Sequence, residues 1–169
     1  MAENLANLRE VAPDDLRLAM RSFASGVCVV TSRDQGGEPV GMTVSSFCSV
    51  SLQPPLVLVC LFRETQTAQA VAAMRQFGVS ILASDQEHVS RQFAMRGADR
   101  FRGVGWSAGR TGVPLVEGAV VHLEAAVEAL LPGGTHDIVV GRVMATRRVP
   151  GRPLLYFDGD YRKLCENGR

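Results

Sequence analysis

The chain has 169 residues, with 18 Lys and Arg against 17 Asp and Glu, a formal net charge of +1 and 46% hydrophobic residues. That length suits a single domain (residues 1–169, core about 13–165) that buries about two thirds of its unfolded surface and needs no metal or disulfide. Balanced charge without long like-charge runs excludes a dedicated nucleic-acid binder, and the lack of a leader or of an apolar run of about 18 residues gives a cytoplasmic, non-membrane expectation with a small molecule or a protein as partner.

Pro13-Asp14-Asp15 followed by Leu16, Leu18, Ala19, Met20 and Phe23 predicts an amphipathic helix with acids in its first turn, ending near Ser25-Gly26. Gly26 to Thr31 is a β-branched run, and the turn Asp34-Gln35-Gly36-Gly37 leads to a second strand through Val40 to Val44, so the two read as a hairpin. From Gly41 to Phe62 the chain reads GMTVSSFCSVSLQPPLVLVCLF, where small hydroxyl residues crowd a short connection between two apolar runs. Thr43, Ser45, Ser46, Ser49 and Ser51 offer hydroxyls and backbone N–H groups suited to an acceptor-rich ligand such as a carbonyl-bearing ring or a phosphate. Ser and Thr alternating with Val and Phe also fit a solvent-facing edge strand, and pattern alone leaves both readings open. Pro54 and Pro55 then set the entry to Leu56–Phe62, which reads as a strand buried on both faces.

Thr65 to Arg75 predicts a mostly apolar helix, Phe77 to Leu82 a strand, and Ser84 or Asp85 a cap for a helix through Glu87, Val89, Phe93 and Met95. Gly97 to Gly118 is broken by glycines and prolines and reads as a long surface loop carrying Trp106, of the kind that is usually functional or mobile. Val121 to Glu128 alternates with period two, Pro132-Gly133-Gly134 is a turn, and Ile138–Ala145 and Leu154–Phe157 complete about seven strands. Helices inserted among strands, rather than alternating with them, predict a mainly β chain: a β-barrel with helical insertions.

Few motifs carry chemistry by themselves. Gly103, Gly105 and Gly109 have GxGxxxG spacing with no helix able to follow through Gly112 and Pro114, so they are no Rossmann signature. His88, His122 and His136 are dispersed, which argues against a metal site, and Cys28, Cys48, Cys60 and Cys165 lack CxxC spacing and are expected to be reduced, buried thiols. His136, in Gly134-Thr135-His136-Asp137, taken alone, reads best as an ordinary loop residue.

Five blocks in order, FASGVCVVTS (Phe23–Ser32), GMTVSSFCSVSLQPPLVLVCL (Gly41–Leu61), FGVSILASDQEHVSRQFA (Phe77–Ala94), GTHDIVVGRV (Gly134–Val143) and PLLYFDGDYRKL (Pro153–Leu164), resemble the short-chain flavin reductase family. The resemblance spans nearly the whole chain past its first dozen residues. It implies a homodimer built on the Greek-key-like FMN-binding split barrel, and NAD(P)H-dependent reduction of FMN or FAD, the reduced flavin passing to a separate flavin-dependent monooxygenase.

On that resemblance Thr43, Val44, Ser45, Ser46, Cys48 and Ser49 hold the flavin ring edge and ribityl chain through backbone N–H groups and hydroxyls. Its phosphate falls near Arg63, Thr67, Ser90 and Arg91, groups chemically suited to an anion. His136 borders the nicotinamide of NADH or NADPH, and Tyr161 lies near the same opening. Where relatives usually read NSF this chain has Ser45-Ser46-Phe47, and it has Cys48 where threonine is common. No catalytic acid–base pair and no metal are implied, because the flavin carries the redox chemistry. The alternatives on the same barrel are a flavin-storage protein and an oxidase of the pyridoxamine phosphate type.

Overall fold

The computed structural model describes residues 9–97 and 99–165. In chain order the elements are α1 (Pro13–Met20), β1 (Ser25–Gly26), β2 (Cys28–Arg33), β3 (Pro39–Val44), β4 (Phe47–Leu52), β5 (Pro55–Phe62), α2 (Gln66–Met74), β6 (Gln76–Ile81), α3 (Glu87–Ala94), β7 (Trp106–Ala108), β8 (Pro114–Val116), β9 (Val121–Gly133), β10 (His136–Arg148), β11 (Leu155–Phe157) and β12 (Asp160–Arg162). Of the positions outside the expected core of about 13–165, residues 1–8 and 166–169 lie outside the described residues.

Seven strands form one antiparallel sheet in the order β3-β2-β6-β9-β10-β5-β4. The outermost strands, β3 and β4, are successive in the chain and are joined by Ser45 and Ser46 alone. Three Cα steps span at most about 11 Å, so the sheet must curl until its two edges nearly meet. The result is a mainly β split barrel whose seam is not closed by a hydrogen-bonded ladder. Long, complementary β9 and β10, paired from Val121↔Arg148 to Gly133↔His136, form its longest hairpin.

β2 is buried on both faces because the two faces serve different cores. Cys28 and Val30 join Val59, Leu61, Val71, Phe77, Val79 and Val139 inside the curl, whereas Val27 and Val29 pack with Leu82, Val89, Phe93, Val116 and Leu154 beneath α3. Gly141 on β10 allows Phe77 to fill the barrel, since a Cβ there would stand 2.4 Å from the Phe77 ring.

Four expectations are corrected. The helix after Pro13 stops at Met20 because Ser25 and Gly26 leave it to pair with Tyr156 and Leu155. α3 begins at Glu87, not at Ser84 or Asp85; Gln86 precedes it, accepting from the Ala83 N–H (3.0 Å) and donating to the Glu117 carbonyl (2.7 Å). Gly97–Gly118 is also no surface loop through its length: it holds the β7–β8 hairpin, and Val113 and Val116 are fully buried. Of the cysteines, Cys28 is buried and its thiol is pushed up to about 12 by burial, but Cys48 and Cys165 are exposed, contrary to the buried reading; all four are free.

Glu124 on β9 pins that hairpin. Burial opposes its charge, but the Thr111 N–H (2.6 Å) and hydroxyl (2.7 Å) and the Arg110 N–H (2.9 Å) all donate to it and hold its pKa below the usual carboxylate value. A depressed carboxylate stabilises the fold above its unfolded pKa of about 4.3 and loses that contribution as pH falls through the lower folded value. We predict that Glu124→Gln lowers stability at pH 7 by about 2 kcal/mol, measured by urea unfolding, and that the gap to the wild type narrows below about pH 4.

Candidate functional site

The hydroxyl-rich segment divides into structural and open members. Thr43 donates to the Ser90 carbonyl (2.7 Å), tying β3 to α3, and Val44 sends its side chain into the barrel core opposite Cys28. The Ser46 hydroxyl donates to the Cys60 carbonyl (2.9 Å) and accepts from the Cys60 N–H (3.2 Å), extending the β4–β5 ladder beyond its last residue pair. Ser45, Cys48 and Ser49 are exposed, the last two on the edge strand β4. The edge-strand reading of this stretch therefore holds: it is an edge strand preceded by a two-residue connection.

A second group gathers on α3. The Ser90 hydroxyl and the Tyr161 hydroxyl are 2.8 Å apart, and the Arg91 guanidinium lies 4.9 Å from the centroid of the Tyr161 ring. Arg91 also bonds Glu87 (2.8 Å), which raises its pKa from the ordinary guanidinium value. Tyr161 stacks edge-on against Tyr156 at 5.3 Å.

A third group stands where β5 meets β10. The Arg63 guanidinium donates to Asp137 (2.9 Å) and to the His136 carbonyl (3.3 Å), and the Thr135 hydroxyl lies 3.0 Å from His136 Nδ1. The His136 ring packs against Phe62 at 5.5 Å. Arg63 is thus committed to the His136 turn, and the recorded contacts of Tyr161 run to α3 and β11 rather than to His136.

A cavity of about 660 Å³ meets the third group at Phe62. Its walls are the free edge of β3 at Pro39–Gly41, Phe62 at the end of β5, the start of α2 at Thr65–Thr67, and Arg96 and Arg100 after α3, with Glu64 and Asp99 at its acidic side. Thr65 caps α2: its hydroxyl donates to the Phe62 carbonyl (2.8 Å) and accepts from the Ala68 N–H (3.2 Å). The first-turn N–H groups of a helix have no intrahelical partner, and with the macrodipole they favour an anion.

Thr67 lies in that turn, fully buried, and its hydroxyl has no hydrogen-bond partner. Such a group is costly to bury unpaired. Arg100 is held by its bonds to the carbonyls of Gly41 (2.6 Å) and Met95 (3.0 Å), and burial lowers its pKa from the ordinary guanidinium value. Of the four residues expected around a phosphate, only Thr67 lines this cavity. Arg96 and Arg100 line it too; sequence reading missed both, Arg100 because it sits in the stretch taken as a loop and Arg96 because it falls between that stretch and the predicted helix.

The comparisons agree with this architecture. A family model described as a flavin reductase like domain matches residues 20–165. The chain is similar to a Streptomyces globisporus NADH:FAD oxidoreductase, solved in complex with NAD and FAD fragments, at 40% identity and a TM-score of 0.88 over 96% of this chain and 100% of that one. It is 44% identical to a Rhodococcus NADH-dependent flavin reductase over 95% of this chain and 91% of that protein. It is 34% identical to HsaB, the reductase subunit of a flavin-dependent monooxygenase in Mycobacterium tuberculosis, over 90% of this chain and 82% of that protein.

Thr67→Val replaces an unpaired buried hydroxyl by a methyl of similar shape. The expected outcome is a fold as stable as the wild type or more so, by up to about 1 kcal/mol, together with loss of the thermal protection that pyrophosphate gives the wild type. Destabilisation of the ligand-free variant would show instead that the hydroxyl is satisfied within the chain.

Proposed function

The chain belongs to the flavin reductase family, and from that premise we propose that it takes hydride from NADH or NADPH to reduce FMN or FAD and releases the reduced flavin to a separate monooxygenase. The observation that carries the reading is the unpaired, buried Thr67 hydroxyl at the N-terminus of α2, at a cavity lined by Pro39–Gly41 of β3, the strand that runs on to the open Ser45–Ser49 segment. The residues present fit a flavin: hydroxyls and backbone for its polar edge, helix N–H groups and the Arg96 and Arg100 guanidinium groups for its phosphate.

The flavin, when bound, supplies the hydride-accepting ring. What the chain contributes is position and field. Thr43, through its bond to Ser90, fixes β3 against α3, while Ser46, bonded both ways to Cys60, fixes the start of β4. The exposed hydroxyls of Ser45 and Ser49 and the neighbouring N–H groups, including those of Val44 and Cys48, are left for the ring edge, where donors stabilise developing negative charge. His136, held by Thr135 and Phe62, borders the nicotinamide on the Phe62 side of the cavity. Tyr161 and Arg91, packed on each other, close the α3 side.

The same reading includes a homodimer, and the outer sheet face supports it. Cys60, Ile138 and Leu131 lie in one row across β5, β10 and β9, and Leu58, Val140 and Ala129 in the next. Leu131 is 50% exposed and Leu52, on the adjoining edge, 87%. An apolar sheet face of this kind is what a second copy covers. Unpaired cysteines agree with a reducing, cytoplasmic address, and among the described residues no helix is long and apolar enough to cross a membrane.

Anaerobic nicotinamide oxidation by the purified protein, with FMN or FAD offered as acceptor, tests the activity; turnover with neither flavin would falsify it. His136→Ala is expected to raise the KM for the nicotinamide or lower kcat by about tenfold, on the order of 1.4 kcal/mol, and to leave flavin affinity unchanged. Leu131→Asp is expected to shift the protein from dimer to monomer in sedimentation.

A further inference from the structure

A second hollow, of about 400 Å³, adjoins the cavity just described and shares Val40 and Gln66 with it. It lies at the tip of the β2–β3 hairpin, against Asp34 and Gln35, and its floor is α2. The α2 residues that form it, Gln66, Gln69, Ala70 and Ala73, have the 3-1-3 spacing of one helix face. Gln66, Gln69 and Ala73 on that face are exposed, while Ala70 between them is buried like Thr67, Ala68 and Val71 and forms the bottom of the hollow.

The chemistry of the hollow differs from that of its neighbour. Neither Arg nor Lys lines it. Side-chain amides of Gln35, Gln66 and Gln69 offer donors and acceptors together, and Val40, Ala70 and Ala73 give a flat apolar floor. One Asp34 carboxylate oxygen is occupied by the N–H groups of Gly36 and Glu38, both at 2.9 Å. This is a site for an uncharged, hydrogen-bonding ring rather than for a phosphate.

Order along β3 assigns the ring. From Ser45 back to Pro39 is six residue steps, about 20 Å of strand, and the hairpin tip lies beyond. The open hydroxyl segment, the cavity holding the unpartnered Thr67 hydroxyl, and the amide-edged hollow follow one another along a single edge. The parts of FAD follow in the same order: isoalloxazine, phosphates, adenosine. FMN ends at its phosphate and has nothing to place in the hollow.

We infer that the hollow between α2 and the β2–β3 turn receives the adenosine of a dinucleotide bound along β3, and that it makes this chain select FAD over FMN through Gln66, Gln69 and the Ala70–Ala73 floor. The inference rests on the flavin reading of the Thr67 cavity. An adenosine could also arrive as part of NADH, and the experiment separates the two sources.

Flavin-free protein is titrated with FAD and with FMN by flavin fluorescence, with AMP as competitor, before any nicotinamide is added. FAD is expected to bind at least about tenfold tighter than FMN, a difference of about 1.4 kcal/mol, and AMP to displace FAD but not FMN. Ala73→Trp, at an exposed position near the end of α2, fills the hollow and removes the preference while FMN affinity stays unchanged; Gln69→Ala reduces it. Equal affinity for the two flavins in the wild type, or a parallel loss of both in Ala73→Trp, would overturn the assignment. So would a variant whose sole change is a raised KM for NADH, which would give the hollow to the nicotinamide dinucleotide. Selective FAD binding with no NADH oxidation would uphold the hollow and defeat the reductase reading instead.

Discussion

Ser45 and Ser46 join the two outermost strands of a seven-stranded antiparallel sheet, and that short tie shapes the rest of the molecule. A sheet of this width would otherwise stay open with its edges far apart. The Ser46 hydroxyl, bonded both ways to the Cys60 backbone, holds the far end of the tie to β5 as a further rung of the ladder. The curl that results buries Phe77 and Val71 in one core, brings α2 across the seam, and leaves β3 with a free edge facing the helix N-terminus. The proposed ligand site lies along that free edge of β3.

Along that seam the chain satisfies most of its own polar groups and leaves a few open. Thr43, Thr65 and Ser90 spend their hydroxyls on internal bonds that tie β3 to α3, α2 to the end of β5, and α3 to β12. Thr67 does not, although it is as buried as any residue in the chain. Among the described residues Thr67 Oγ1 is the one buried side-chain polar atom without a partner, and it stands at a helix N-terminus by a cavity lined by two arginines, which is the ground for the proposed anion site.

The order of strands and helices was legible because the periodicities are local: the alternation in Val121–Glu128, the turn at Asp34–Gly37 and the apolar runs at Cys28 and Leu56 each declare themselves. The Gly97–Gly118 region was misread because its order comes from partners distant in sequence. The Ser80 hydroxyl accepts the Val116 N–H, His122 meets the Val116 carbonyl, and Glu124 takes the Arg110–Thr111 turn. For the same reason Arg96 and Arg100 gave no signal as cavity residues. Within the hydroxyl-rich segment, composition pointed to a cradle but could not separate Ser46, which holds the fold, from Ser45 and Ser49, which face outward. Arg63 shows the converse: a cation at a plausible spacing that the tertiary structure commits to Asp137.

A crystal structure of the protein with FAD tests the account most directly. The account predicts the isoalloxazine against residues 43–49 and a phosphate oxygen within hydrogen-bond distance of Thr67 Oγ1 at the start of α2. A flavin bound on the outer face of β5 and β10, or in the seam with the Thr67 hydroxyl still unpaired, would contradict it.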